Sequence, residues 1–357
     1  MIAGILGRYV GRAVLAAVLI VAVLLVGLYT IIELVRESRD LTGDYGVVEM
    51  LVYLAQTTPS RLYDIFPFAV LIGTLLGLGG LAATRELVAM RAAGFDRRQI
   101  LISVLAAVGL CLAVLFVVSE TLLPQLEARA SAERDQARSG QVRLGRYGAL
   151  WLRDGHLMLR IDYSSWSARE TPEFSQLLIY RLDDAMRPLQ ILTAGTASHD
   201  GSRWRLSDVA ARTIDGSEPP EQHAQLVLES TLSYDLFSSA VTRPRMLAIA
   251  DLIDMIKLLG ANELNTEPYR QALWNRLFYP LNVLAMILIS LPFAFGGARH
   301  GGRGLSLLAG VSLGLMFFVV SRLVRGAALL WPGPLWLLML MPALLFGLLG
   351  LVLLRRL

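Results

Sequence analysis

Six stretches of this chain carry no charged side chain for about the length of a membrane span: residues 13–32, 65–84, 100–119, 277–298, 304–321 and 326–354. A helix needs about 20 apolar residues to cross a hydrocarbon core of about 30 Å, so each run predicts a membrane helix. Six spans place both termini on one side. The first run is too long and too far into the chain for a cleaved signal peptide, and is read as a retained helix. Between the second and third runs, residues 84–100 (TRELVAMRAAGFDRRQI) form a charged island. Its pattern predicts a short amphipathic helix at the membrane surface. Glu86 falls in the first turn, where the helix dipole favours a carboxylate. Leu87, Met90 and Arg91 share one face at i, i+3 and i+4. Gly94 is a C-terminal stop, and Asp96 with Gln99 forms an Asp version of the capping box that opens the next helix.

The segment between the third and fourth runs has a different rhythm. Residues 125–140 are polar and helix-prone, and are expected to continue the third helix outward. From residue 147 come short, partly alternating runs broken by Asp-Gly and Gly-Ser, the signature of antiparallel strands joined by hairpins. Residues 246–259 then read as a helix with Asp251 and Asp254 on its polar side. The expected fold class is therefore a membrane α-helical protein of six transmembrane helices with an inserted β-domain. Its parts are residues 1–124 (three helices, with the surface helix at about 84–94), 125–268 (the β-domain and flanking helices) and 269–357 (three helices).

Composition agrees with a polytopic membrane protein: 55% of residues are hydrophobic and the mean hydropathy is +0.56. Basic residues assign the sides. Arg8, Arg12, Arg85, Arg91, Arg97, Arg98, Arg299, Arg303, Arg355 and Arg356 gather on one side, with only Glu86 and Asp96 nearby. On the other, Arg36, Arg39 and Arg61 are diluted by Glu33, Glu37, Asp40, Asp44, Glu49 and Asp64. The positive-inside rule makes the first side cytoplasmic, with both termini and the island, and puts the β-domain outside. Cys111 is the only cysteine, so no intrachain disulfide can hold that domain.

Candidate catalytic motifs fail on context. Gly310-Val311-Ser312-Leu313-Gly314 matches G-x-S-x-G, but that motif works at a strand-to-helix turn, and here it lies in an apolar helical run. An intramembrane hydrolase using Ser312 would also need a histidine within a span to activate it, and His156, His199, His223 and His300 all lie outside the runs. Lys257, the only lysine, does not follow a glycine, so there is no P-loop. The histidines and the cysteine lack metal-ligand spacing. No metal and no cofactor are expected on this chain, and nothing points to nucleic acid. Gly310 with Gly314, and Gly73 with Gly77, have the small-xxx-small spacing that lets membrane helices approach closely. The arginines on the outer side (Arg36, Arg39, Arg61, Arg129, Arg134, Arg322 and Arg325) run against the charge bias. Singly they fit snorkelling or pairing with nearby acids. Together they suit an anionic, phosphate-bearing ligand at the outer leaflet.

The segment DIFPFAVLIGTLLGLGGLAATRELVAMRAAGFDRRQI resembles the second span, coupling helix and third span of the lipopolysaccharide export permeases. The opening LGRYVGRAVL, the stretch LPQLEARASAERDQA and the span WNRLFYPLNVLAMILISLPFAFG fit the same family, and the resemblance covers essentially the whole chain. Within the family the chain is closer to the G subunit than to its F paralogue.

The resemblance implies a non-enzymatic permease subunit of the bacterial inner membrane. It would pair with an F-type (LptF-like) subunit as a heterodimer and bind two copies of a cytoplasmic LptB-like ATPase, which would hold the ATP and Mg. It would extract lipopolysaccharide from the outer leaflet and pass it to LptC-like and LptA-like bridge proteins through a periplasmic β-jellyroll. By residue, the resemblance maps ATPase coupling to Glu86, Leu87 and Met90, with Arg91 beside them. It maps phosphate contacts to Arg39 and Arg134, with Arg36 a neighbour and Arg61 a near match. Glu33 and Asp40 depart from the pattern, standing where related chains can carry lysine. A permease that transmits force to a periplasmic partner without passing lipid is the alternative within the same class.

Overall fold

A computed structural model describes residues 2–41, 45–139, 142–143, 150–165, 173–183, 187–200, 203–214, 219–230, 244, 247–261, 265–296, 303–328 and 333–356. Each uncharged run forms a helix: α1 (Ile2–Glu37), α3 (Thr58–Ala83), α5 (Arg97–Thr121), α9 (Tyr279–Gly296), α10 (Arg303–Ala327) and α11 (Leu335–Arg355). Five are long and apolar enough to cross a membrane alone. The remaining run, α9, meets that test together with the preceding α8 (Glu267–Leu277), bent from it by 46°. Pro280 lies at the bend; it has no N–H to continue the ladder of α8, and it suits the first turn of a new helix.

The chain divides into two compact units. The first holds Met1–Glu33, Thr58–Leu123 and Glu267–Leu357, and the second Leu34–Thr57 and Pro124–Thr266. In the first, Val10 and Val14 of α1, Val70 and Leu78 of α3, Val104 and Val108 of α5, and Val283 and Ile287 of α9 share one buried cluster. A second cluster joins Leu71 and Leu75 to Met286, Phe317 and Phe346 of α9, α10 and α11. Away from these contacts α1 bares Ile20, Val23 and Leu24, each more than 60% exposed. A row of aliphatic side chains of that extent suits lipid, not water.

The second unit draws on two separate stretches of the chain. Residues 34–57 group with the β-domain. The reason is packing: Met50, Tyr53 and Leu54 of α2 (Val47–Gln56) bury with Tyr45 against Ala130 of α6 (Leu123–Ser139). Gln56 also donates to Glu133 at 3.2 Å.

Beyond α6, seven strands form one antiparallel sheet: β1 (Val142–Arg143), β2 (Leu150–Asp154), β3 (Leu157–Ser165), β4 (Glu173–Leu182), β5 (Pro188–His199), β6 (Arg203–Thr213) and β7 (Glu221–Glu229). Both β1 and β2 pair with β3, and the others follow in sequence order. The β2–β3 hairpin turns at Gly155, whose φ of +60° explains the Asp154-Gly155 signal. Among the described residues the strands form a meander with no jellyroll crossover. The helix α7 (Ile249–Ala261) follows, with Leu258 against the sheet core.

The inward side chains do not alternate evenly. They fall at Phe174, Leu177 and Ile179 in β4, at Leu192, Ala194, Ala197 and His199 in β5, and at Trp204, Leu206, Val209 and Ala211 in β6. All three strands carry two residues instead of one between inward positions at the same level, where Leu177 pairs with Ala194 and Ala194 with Val209. At that crease Asp208 takes φ +53°, and a Cβ on Gly195 would lie 3.3 Å from the Asp208 Cβ.

His199 is buried beside Trp204, with ring centroids 4.7 Å apart and its Nε2 2.9 Å from the Ser230 hydroxyl. Burial holds its pKa below the ordinary 6.5, outweighing the opposite pull of Asp154 and Asp200. The unfolded chain therefore takes up this proton more readily. Its contribution to stability is complete above pH 6.5 and declines as the pH falls from there through the lower folded value. The unfolding temperature should drop on mild acidification, and His199→Gln should flatten that dependence. Identical pH profiles for the two proteins would contradict it.

Candidate functional site

The island residues form α4 (Glu86–Ala92), tightly bounded at both ends. Arg85 enters it in the left-handed region at φ 59°, a conformation that costs an ordinary residue about 1–2 kcal/mol. At the other end the Gly94 N–H donates to the Arg91 carbonyl at 3.1 Å and the Phe95 N–H to the Met90 carbonyl at 2.9 Å. With Gly94 at φ +86°, this is a Schellman stop, and Phe95 buries in the same cluster as Met90. The Asp96 N–H then donates to Gln99 Oε1 at 2.9 Å to open α5.

Leu87 and Met90 point inward into the helical core, only 4% and 7% exposed, whereas Arg91 and Val88 face outward. Leu87 and Met90 thus anchor the helix, and Arg91 is its outward residue. Periodicity identifies an apolar stripe but not what covers it. Glu86 is half-exposed and accepts two hydrogen bonds at 2.7 Å, from the Thr84 hydroxyl and from the Tyr9 hydroxyl of α1. These donors, Thr84 first, hold its carboxyl below the usual range, so it is ionised at neutral pH. Tyr9 is 77 positions away and carried no sequence signal. Nearby, α1 lies close to α5: a Cβ on Gly7 would sit 2.9 Å from Ser103 Oγ, and one on Gly11 3.2 Å from the Ala107 Cβ.

The four arginines expected to bind phosphate have different environments. Arg134 forks onto Glu37, with Nη2–Oε1 at 2.8 Å and Nε–Oε2 at 2.9 Å, and its guanidinium lies 5.0 Å from the Tyr53 ring centroid. Glu37 is buried and also accepts from the Tyr45 hydroxyl at 3.3 Å. The adjoining cleft between α2 and α6 has a volume of about 120 Å³, below the usual scale of a small-molecule site. Arg61 is 5% exposed in the first turn of α3, 6.0 Å from the Tyr29 ring of α1. Arg36, in the last turn of α1, and Arg39, in the 3-10 turn Ser38–Asp40, have exposed side chains. Of these four, Arg36 and Arg39 are the two with exposed side chains.

One charged cluster escaped the sequence reading. Arg276 in α8 is 5% exposed, pairs with Glu120 of α5 and donates to the Ser119 carbonyl. Its guanidinium lies 5.8 Å from the Tyr63 ring, which stacks on Tyr279 at 4.0 Å. The Tyr279 hydroxyl donates to the Tyr63 carbonyl at 2.8 Å. The available clue was an acid at the end of the third run and an arginine just before the fourth.

Of the packing glycines, Gly73 and Gly77 bring α3 against the α1 backbone. A Cβ on Gly73 would collide with Val18 Cα, and one on Gly77 would lie 2.8 Å from Val14 Cα. Gly310 and Gly314 meet only the side chains of Leu75 and Leu71. Ser312 is an exposed mid-helix residue of α10, not a strand-to-helix elbow. No group of metal-ligating side chains occurs among the described residues.

The arrangement is that of several apolar helices with a capped surface helix locked to the first of them and a separate antiparallel sheet. A family model described as lipopolysaccharide export system permease LptF/LptG matches residues 8–356. The chain is 29% identical over 345 residues to the lipopolysaccharide export system permease protein LptG of Haemophilus influenzae, covering 96% of this chain and 95% of that protein. To the protein of the same name from Escherichia coli K12 it is 29% identical over 358 residues, covering 99% and 98%. The chain belongs to the LptF/LptG family of lipopolysaccharide export permeases.

Proposed function

We propose that this chain is a G-type, non-catalytic subunit of an ABC transporter in the bacterial inner membrane. It pairs with an F-type subunit, is driven by two copies of a separate cytoplasmic ATPase, and lifts lipopolysaccharide from the outer leaflet toward a periplasmic bridge. Both termini and α4 are cytoplasmic in this reading, and the antiparallel sheet belongs to the periplasmic module that receives the lipid. The full-length likeness to the LptG proteins supports the assignment.

The observation that carries the coupling role is the attachment of α4. Leu87 and Met90 root it in the helical core, and Glu86 ties it to α1 through Tyr9. ATPase closure would press on the outward face of Val88 and Arg91, and the rooted helix would pass that displacement to α1, α3 and α5. In this reading Leu87 and Met90 are transmitting anchors rather than contacts with the ATPase. Arg36 and Arg39 are the candidate phosphate ligands, and Arg134 acts through Glu37 as a brace.

Glu86→Arg inverts the charge facing the Tyr9 and Thr84 hydroxyls. Lipopolysaccharide-stimulated ATP turnover of the assembled complex should fall at least tenfold, with the chain still inserted and folded. Unchanged turnover together with unchanged co-purification of the ATPase would refute the coupling role.

A further inference from the structure

Helix α2 is apolar on both sides. Met50, Tyr53 and Leu54 bury toward α6. On a helix of 3.6 residues per turn a second apolar arc, about 140° wide, runs through Val47, Leu51, Ala55, Val48 and Val52, the last two also edging the cleft against α6. Val48 is 68% exposed and Val47, Leu51 and Val52 about half. The two polar residues of the helix, at the boundary of the arcs, are engaged within the unit: Glu49 accepts from the Gly46 N–H at 3.0 Å and Gln56 donates to Glu133. A helix apolar all round is stable inside a protein or in lipid. At 10 residues α2 is about 15 Å long, half the hydrocarbon thickness, so it cannot span.

Its covalent tethers restrict where it lies. Residues 38–46 join it to the end of α1, and Thr57 alone separates it from α3; both are helices long and apolar enough to span. Such short links keep α2 at the membrane boundary. Arg36 and Arg39, exposed beside the first tether, supply the cationic charge that favours anionic headgroups near an interfacial helix. We propose that α2 lies in the plane of the membrane interface, with Val47, Val48, Leu51 and Val52 sunk among the acyl chains and α6 carried on its other side. The occupant of the exposed arc is the lipid surface itself. The inference rests on α1 and α3 being spans, and is independent of the coupling role of α4.

The test uses the full chain in nanodiscs of phosphatidylethanolamine and phosphatidylglycerol. Cys111→Ala removes the native thiol, and nitroxides are attached at Leu51→Cys, away from α6, or at Val48→Cys, exposed at the mouth of the cleft against α6. Glu221→Cys, exposed on the edge strand β7, is the control. Power saturation should show oxygen collisions exceeding those of a water-soluble nickel chelate several-fold at 48 and 51, with the reverse at 221. High nickel accessibility at 48 and 51 would mean a water-facing helix, and low accessibility to both reagents a protein-covered one. Either result overturns the proposal.

Discussion

Arg276→Met should destabilise the helical unit by about 3–5 kcal/mol, because it leaves Glu120 in place with its partner removed from a largely dry site. The buried guanidinium also donates to the Ser119 carbonyl, so one substitution withdraws a donor from two acceptors on α5. The double variant Arg276→Met with Glu120→Leu removes both charges and should recover most of the loss, since an apolar pair of similar volume avoids the desolvation penalty. Thermal unfolding of the purified chain in detergent checks both variants. If the single variant melts with the parent protein, the pair does not hold α5 to α8.

Gly73→Val should also be severe, with a cost of about 1–3 kcal/mol or more from overpacking. The obstacle is the Val18 Cα of α1, and backbone cannot rotate away as a side chain can. Gly314→Ala is the informative contrast. Its new methyl meets only the end of Leu71, which can change rotamer, and alanine gains helix propensity over glycine. The unfolding temperature should fall clearly for the first and change little for the second. Equal shifts would show that the two glycine pairs are equivalent, which their surroundings contradict.

Both results bear on what could be read in advance. The spans were legible because twenty uncharged residues leave few alternatives to a helix in lipid. The start, stop and cap of α4 were legible because Glu86, Gly94, Asp96 and Gln99 act within a few residues of one another. Features built from distant residues were not legible. Arg276 and Glu120 meet across 156 positions, and Tyr9 and Glu86 across 77. The inward turn of Leu87 and Met90 is likewise a tertiary fact, since their spacing is the same whether the core or a partner covers them. The packing of α2 against α6 is another contact between distant residues. A short helix apolar on both faces has no amphipathic pattern to reveal it, so the sequence carried no separate signal for α2. The two glycine pairs share one spacing, and only their neighbours separate backbone contact from side-chain contact.

The crease in the sheet sets a rule for how this module can vary. Since β4, β5 and β6 each carry one additional residue at the same level, their inner faces match on both sides of it. Losing Gly195 alone would shift the rest of β5 by one place, turning Ala197 and His199 outward while Phe174, Trp204 and Leu206 on the neighbouring strands stayed inward. A one-residue deletion is therefore far more disruptive here than a substitution. Such a change is tolerable only when the adjacent strands make it together, so lengths in this part of the β-domain should be inherited as a block.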